Sequence, residues 1–488
     1  MKNIFIAPLS ITLFLLLSLT PVSADIELPA IISSNMVLQR NTTVEFWGWA
    51  DANEVMTIKV SWLNKKIKLK ADLKGNWRTE IKTTNSTEPQ SIEIKSKTSD
   101  ITLNNVLFGE VWLCSGQSNM QQPMNGYTGQ PTFGTTMAVA KSNNPLLRLF
   151  TVDRIGSKTP LKEVRKFSAW QQANPDNVGD FSAVAYFFGQ QLQEILDVPV
   201  GLIHTSWGGS PVQAWMSKEI LNNYEDINIS NIDIEKEPNK IPTVLFNAMI
   251  NPLIPYTIKG ALWYQGEANR DEPQKYKELF PAMVKDWRNR WGIGDFPFYY
   301  VQIAPFLYGN NDAFDSVDNS AFIREVQLQS LDSIPNSGIA ITMDIGAEFF
   351  IHPPNKKVVA DRLLLNALNQ TYGFNKVAYA SPVYKSQETK NGAIILKFKN
   401  AESGLYAPGE LEGFEIAGED KIFYPATAEI INRKHLSVKN EEVKNPVAVR
   451  YAWKNWVEGT LFNTHLLPAS SFRTDKWNDA KRYKKETE

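Results

Sequence analysis

Hydrophobic positions along the chain change their period twice. From Asp25 to about Leu103, stretches such as "TVEFWGWA", "TIKVSWL", "KIKLKADL" and "SIEIKSK" alternate apolar with polar residues. Period-two alternation, broken by turns such as Lys74-Gly75-Asn76, predicts half-buried antiparallel strands and a sandwich-like unit. After Asn104 short apolar runs take over: "VWLCSG" (111–116), "VGLIHTS" (200–206), "GALWYQG" (260–266), "FYYVQIA" (298–304) and "GIAITMD" (338–344). Amphipathic stretches over 181–196, 243–250, 274–291, 322–334 and 355–373 predict helices between and after them. Strands alternating with helices imply βαβ units and a five-stranded parallel sheet covered on both faces. From about Val377 the alternation returns in "AIILKFKN", "AEIIN" and "HLSVKN". This second β segment either completes the N-terminal unit or stands alone. The expected organisation is α/β, with segments 1–24, 25–103, 104–376 and 377–488.

The first 24 residues differ from everything else. Lys2 precedes an apolar run over 11–19, and Val22-Ser23-Ala24 offers a small-residue cleavage site. That pattern predicts a secretory signal peptide and a secreted or periplasmic protein. No other stretch approaches the ~18 apolar residues of a membrane span, and no membrane anchor is expected. A net charge of −1 without a basic run lacks the electrostatic footprint of a nucleic-acid binder. The single cysteine, Cys114, excludes an intramolecular disulfide, so stability must come from the core. No phosphate loop, dinucleotide fingerprint or zinc motif appears, and neither a metal nor a cofactor is expected. The oligomeric state is not encoded in any pattern of this kind.

Ligands of open parallel sheets bind beyond the carboxyl ends of the strands. The residues just past the predicted strands are therefore the ones to inspect. They are Gln117, Ser118 and Asn119; Trp207, Gly208, Gly209 and Ser210; Gln265, Gly266, Glu267 and Asn269; Pro305 and Phe306; and, beyond Asp344, the loop "IGAEFFIHPPNK" with His352. A hydroxyl, an imidazole, carboxylates, a glycine turn and amides on one rim suit acyl transfer. Ser118 is either a helix cap or a nucleophile awaiting a base. Of four histidines, His435 and His465 fall in the C-terminal segment and His204 inside a predicted buried strand. His352 alone comes after a strand on the rim, beside Pro353-Pro354. An ordinary imidazole would make the rate rise with pH near ~6.5. Gly208-Gly209 is either a plain turn or a close approach of backbone N–H to an oxyanion. Asn269 is either a polar loop residue or a further oxyanion donor. Gln117, Gln265 and Glu267 are candidate substrate-binding residues. Glu267 with Asp344 would be the pair for a glycosidase, and a carbohydrate-binding protein with a dead site is a third reading.

Four blocks carry a resemblance: "GEVWLCSGQSNM", "TSWGGSPVQAWMS", "GALWYQGEAN" and "IHPPNK". Together they resemble the sialate O-acetylesterase group of SGNH hydrolases, and "LPAIISSNMVLQR" and "LPASSFRTD" resemble its flanking β segments. The resemblance implies an SGNH-hydrolase-like three-layer domain. It also implies an esterase acting on an acetylated sugar: sialic acid, or alternatively acetylated xylan or xyloglucan. It implies Ser118 as nucleophile, His352 as base, and Ser118, Gly209 and Asn269 at the oxyanion. One departure stands out. The acid that usually lies three residues before the histidine is replaced by Phe349. Asp344, Glu348 or a main-chain carbonyl could take its place, or none. Asp344 is preferred because it ends a strand on the rim.

Overall fold

The computed structural model describes residues 25–164, 169–230, 233–309, 313–316 and 318–484. The predicted signal peptide, 1–24, lies outside the described residues.

One strand organises the molecule. β1, Asp100–Gly116, runs for 17 residues without a break. Its first half pairs antiparallel with Gln90–Lys95 and parallel with Val37–Gln39, within the N-terminal β layer. Its second half is the central strand of the main sheet, so the boundary expected at 103/104 falls inside a continuous element. The other main strands are β2 (Asn144–Thr151), β3 (Val200–Ser206), β4 (Gly260–Tyr264), β5 (Phe298–Val301) and β6 (Ser337–Ala340). Their spatial order is β6-β5-β4-β1-β3-β2, all parallel, with Gln171–Ala173 antiparallel at the β2 edge. The sheet is mixed and has six parallel strands rather than the five expected.

β1 shows why the sheet is covered on both faces. Val111 and Leu113 point into one core with Ile203, Trp263, Phe280 and Trp287. Trp112 and Cys114 point into the other, with Leu202, Tyr299, Phe188 and Leu363. On that second side α2 (Ala183–Leu196) packs against α5 (Lys356–Asn366). On the first side lie α3 (Pro273–Trp291) and α4 (Ala321–Gln329).

The C-terminal segment builds its own sheets, one of them antiparallel and ordered around Ala393–Lys399 and His435–Lys439. Among the described residues none of its strands pairs with an N-terminal strand. It docks instead on the main sheet's side, where Arg324 donates to Ser471 Oγ (3.1 Å) and Gln302 to Ser470 Oγ (2.8 Å).

Candidate active site

Strand register sets the rim. Gly116 lies opposite Ser206 on one side and Tyr264 on the other. The three strand exits therefore emerge at one level: Gln117-Ser118, Trp207-Gly208-Gly209 and Gln265-Gly266-Glu267. Gly116 makes the sharp exit from β1, with φ +142°, and a Cβ there would sit 2.2 Å from the Tyr264 carbonyl oxygen. Ser118 then opens the short helix α1 (Ser118–Gln121). The cap position belongs to Gln117, whose side chain makes no capping bond. The Ser118 side chain is thus not needed as a cap.

The Gly208 turn comes against Ser118 closely enough that a Cβ on Gly208 would lie 3.1 Å from Ser118 Cβ. Gly208 N–H donates to Gln121 Oε1 (2.7 Å) and its carbonyl accepts from Asn239 (2.8 Å). Gly209 has φ +70°, a conformation that favours glycine. Neither Gly209 N–H nor Ser118 N–H has a hydrogen-bond partner among the described residues.

His352 returns to Ser118 through two bridges. Tyr127 donates its hydroxyl to the Ser118 carbonyl (3.0 Å) and sets its ring edge-on to the imidazole, centroids 5.1 Å apart. Asn119 donates to the carbonyl of Ile351 (3.1 Å), the residue before His352. The imidazole Nδ1–H donates to Gln130 Oε1 at 2.7 Å. A glutamine oxygen can only accept, so this bond fixes the tautomer and leaves Nε2 unprotonated. Gln130 and Tyr127 face each other across a two-residue turn and exchange both backbone hydrogen bonds. Burial, and after it the Lys356 ammonium, push the imidazole down to about 4 rather than the ordinary value expected from sequence.

Asp344 is not brought to His352. Both its oxygens take Arg362 guanidinium nitrogens at 2.7 Å, an ion pair against α5. Glu348 accepts through its backbone from Leu307 N–H (3.1 Å). Phe349 and Phe350 stand largely in solvent, 73% and 47% exposed. Asn269 is buried, and its contacts turn toward the neighbouring loop. Its Oδ1 accepts from Val212 N–H (2.8 Å) and Gln265 (2.7 Å), and its Nδ2 donates to Gln213 Oε1 (2.9 Å). Gln117 is buried too and accepts from Gly266 and Ala268 N–H (3.3 and 3.2 Å), bracing the floor. Gln265 also donates to the Ser210 carbonyl (3.2 Å). Glu267 accepts from Asn119 (2.6 Å), and burial raises its carboxyl above the usual range.

The other histidines have other surroundings. His204 is buried in β3, with Nε2 2.6 Å from Ser206 Oγ. His435 Nδ1 lies 2.6 Å from Asn432 Oδ1 on the far β segment. Among the described residues no cluster of three or more His, Cys, Asp or Glu could hold a metal ion, and no helix is long and apolar enough to cross a membrane.

Residues 108–349 match the family model described as carbohydrate esterase, sialic acid-specific acetylesterase. A solved carbohydrate acetylesterase from Xanthomonas citri superposes with a TM-score of 0.84 and 35% identity, covering 93% of this chain and all of that one. The chain belongs to the sialic acid-specific acetylesterase family. The mouse sialate O-acetylesterase is 27% identical, over 90% of this chain and 93% of its own. The human sialate O-acetylesterase is 28% identical over 87% of each. As a member of this family the protein is a carboxylic-ester hydrolase, a carbohydrate O-acetylesterase. The family match stops three residues short of His352, so the role of that loop rests on geometry.

Gln130 and Lys356 are the site residues that the sequence does not single out, whereas Asn119 already stands among the residues past the first strand. Gln130 lies 222 residues from its imidazole. Of these two, Lys356, inside "IHPPNK", carries a local signal.

Proposed function

We propose that this esterase works through Ser118, His352 and Gln130, without a carboxylate on the histidine. His352 Nε2 takes the Ser118 Oγ proton as Oγ attacks the acetyl carbonyl carbon. The C–O bond to the sugar then breaks, and the sugar oxygen leaves with that proton. Water attacks the acetyl-serine in the same way, releasing acetate and restoring Ser118. The Ser118 and Gly209 N–H groups, both without an acceptor among the described residues, are suited to the tetrahedral oxyanion. The observation that carries this reading is the Nδ1–H to Gln130 bond beside a serine whose side chain caps nothing.

The substrate read first is an O-acetylated sialic acid, as the family description and the curated relatives suggest. The field of the exposed Arg154 reaches Tyr127, which borders both Ser118 and His352. A cation there suits an acidic sugar. A second reading, acetylated xylan or xyloglucan, is favoured by Phe349 and Phe350, exposed apolar rings three and two residues before His352. Rings of that kind suit the apolar face of a neutral glycan. Residues 1–24 as a cleaved signal peptide, with the mature chain secreted or periplasmic, and an SGNH-hydrolase-like catalytic domain belong to the same proposal. Acetate release from acetylated sialic acids, acetylated xylan and acetylated xyloglucan, measured side by side, tests it. Turnover of sialic acids alone supports the first reading, and turnover of the polysaccharides alone replaces it with the second. Glycosidic cleavage with no acetate would refute both.

A further inference from the structure

Ester hydrolysis by Ser118, His352 and Gln130 leaves one charged group unused, and it is the most deeply placed cation near the site. Lys356, the first residue of α5, is fully buried, whereas its neighbour Lys357 is exposed. Burying an ammonium is expensive unless it is compensated. Its Nζ donates to Asn119 Oδ1 at 2.5 Å. The Asn119 amide then donates to Glu267 Oε1 at 2.6 Å, and to the Ile351 carbonyl at 3.1 Å. Asn119 comes just after the candidate nucleophile, Ile351 precedes the candidate base, and Glu267 lies past the turn braced by Gln117. One amide thus joins all three loops of the rim, and a buried cation and a buried carboxyl hold its two ends.

We propose that Lys356, relayed through Asn119 to Glu267, is a positioning device for ester hydrolysis. It fixes the Ser118 turn against the His352 loop, and its positive charge adds to burial in disfavouring a proton on His352. The inference rests on the Ser118–His352 reading.

The surroundings allow this role. Facing Lys356 are Asn119, Glu267, the Tyr264 ring (5.7 Å to its centroid) and His352. Facing Glu267 are Asn119, Lys356 and the buried hydroxyls of Tyr264, Tyr276 and Tyr308. Facing His352 are Gln130, Tyr127 and Lys356. Glu267 Oε2, Tyr264 Oη and Tyr308 Oη have no partner among the described residues, so the carboxyl is not neutralised from another side. Burial pushes Lys356 down to about 7, with Glu267 opposing that shift. The ammonium is therefore charged throughout the acid range in which His352 titrates. A charge there repels the proton that would inactivate the base.

The test uses a small activated acetyl ester, with kcat and KM followed against pH. Lys356→Met should move the acid limb of kcat/KM upward by roughly one pH unit. KM should change less than about two-fold. The same substitution leaves Glu267 buried without its counter-charge, so the variant could lose its fold. The double variant Lys356→Met/Glu267→Gln removes both charges and keeps the fold testable by thermal melting. Asn119→Leu should lower kcat by about ten-fold or more, as misplacement of reacting groups does, with KM again little changed. If the folded double variant keeps the wild-type acid limb within about 0.3 pH units, the electrostatic role is overturned. If Asn119→Leu keeps wild-type kcat, the positioning role is overturned. Ser118→Ala is measured in parallel, and full activity there would refute the underlying site rather than this device.

Discussion

Removing the Gln130 side chain tests whether a neutral amide can stand where a carboxylate is usual. In the protein the His352 Nδ1–H donates to Gln130 Oε1 at 2.7 Å in a half-buried setting. Gln130→Ala leaves that N–H without its acceptor, which costs about 1–3 kcal/mol. It also frees the ring to adopt the other tautomer, with the proton on the nitrogen that must accept from Ser118. At 1.4 kcal/mol per decade, kcat/KM should fall by roughly 5- to 150-fold. That is well short of the ~10⁴ lost when an Asp of a triad becomes Asn, because the neutral amide gives the imidazolium no counter-charge to lose.

Gln130→Glu separates charge from geometry. A carboxylate beside Nδ1 stabilises the imidazolium by up to about 4 kcal/mol at 4 Å in a medium of intermediate dielectric. His352, held down to about 4 in the wild type, should then titrate higher by as much as about three pH units. The acid limb of the pH–rate profile moves up accordingly. Stopped-assay acetate release or a chromogenic acetyl ester gives both numbers. A Gln130→Ala variant within two-fold of wild type at pH 7, with an unmoved profile in Gln130→Glu, would refute the claim that this amide orients the base.

Ser118→Ala should lower acetate release by roughly 10⁴ or more with an unchanged melting temperature; a variant retaining near-normal turnover ends the nucleophile assignment. Asp344→Asn should leave kcat/KM within a few-fold but reduce stability by about 2–4 kcal/mol, since it breaks a mostly buried bidentate pair with Arg362; denaturant titration beside the rate assay reads both. Arg154→Gln should weaken turnover of acetylated sialic acid while sparing a neutral acetyl ester, and equal losses on both would remove the cation from substrate recognition. His204 binds a proton near ~6.5 when unfolded and near 4 when folded. Its stabilising contribution is complete above the higher value and is lost as pH falls toward the lower. His204→Gln should flatten the decline in unfolding free energy over that window by about 3 kcal/mol, and an identical slope would show that the imidazole is not held neutral.

What can be read from sequence tracks the range of the forces involved. The elements carrying Ser118 and His352 announce themselves locally, because a buried strand must be apolar and its exit must turn. Gly116 and the Pro353-Pro354 pair punctuate those exits. β2 escapes the pattern for the opposite reason. "NPLLRLFT" contains a proline and an arginine, and Arg148 is nonetheless buried. Its guanidinium is satisfied by the Asn35 and Asn105 side chains (both 3.2 Å) and by the Pro145 carbonyl (2.8 Å). Two of those partners lie 113 and 43 residues away, where no periodicity can point. Asp344 illustrates a different limit. Its place beyond a strand points to the rim, but which cation it meets depends on the rotation of α5, and Arg362 faces it instead of His352. Gln130 and Lys356 share that character. A glutamine in a turn and a lysine at a helix start are the blandest residues in any sequence. They matter here because the fold closes around them, leaving an imidazole with an oxygen acceptor that cannot ionise and a cation that cannot reach water. Chemistry set by desolvation is invisible to a pattern of residue types, since the same side chains at the surface would carry ordinary protonation states. The sites most worth mutating are therefore those where a commonplace polar residue is found without solvent.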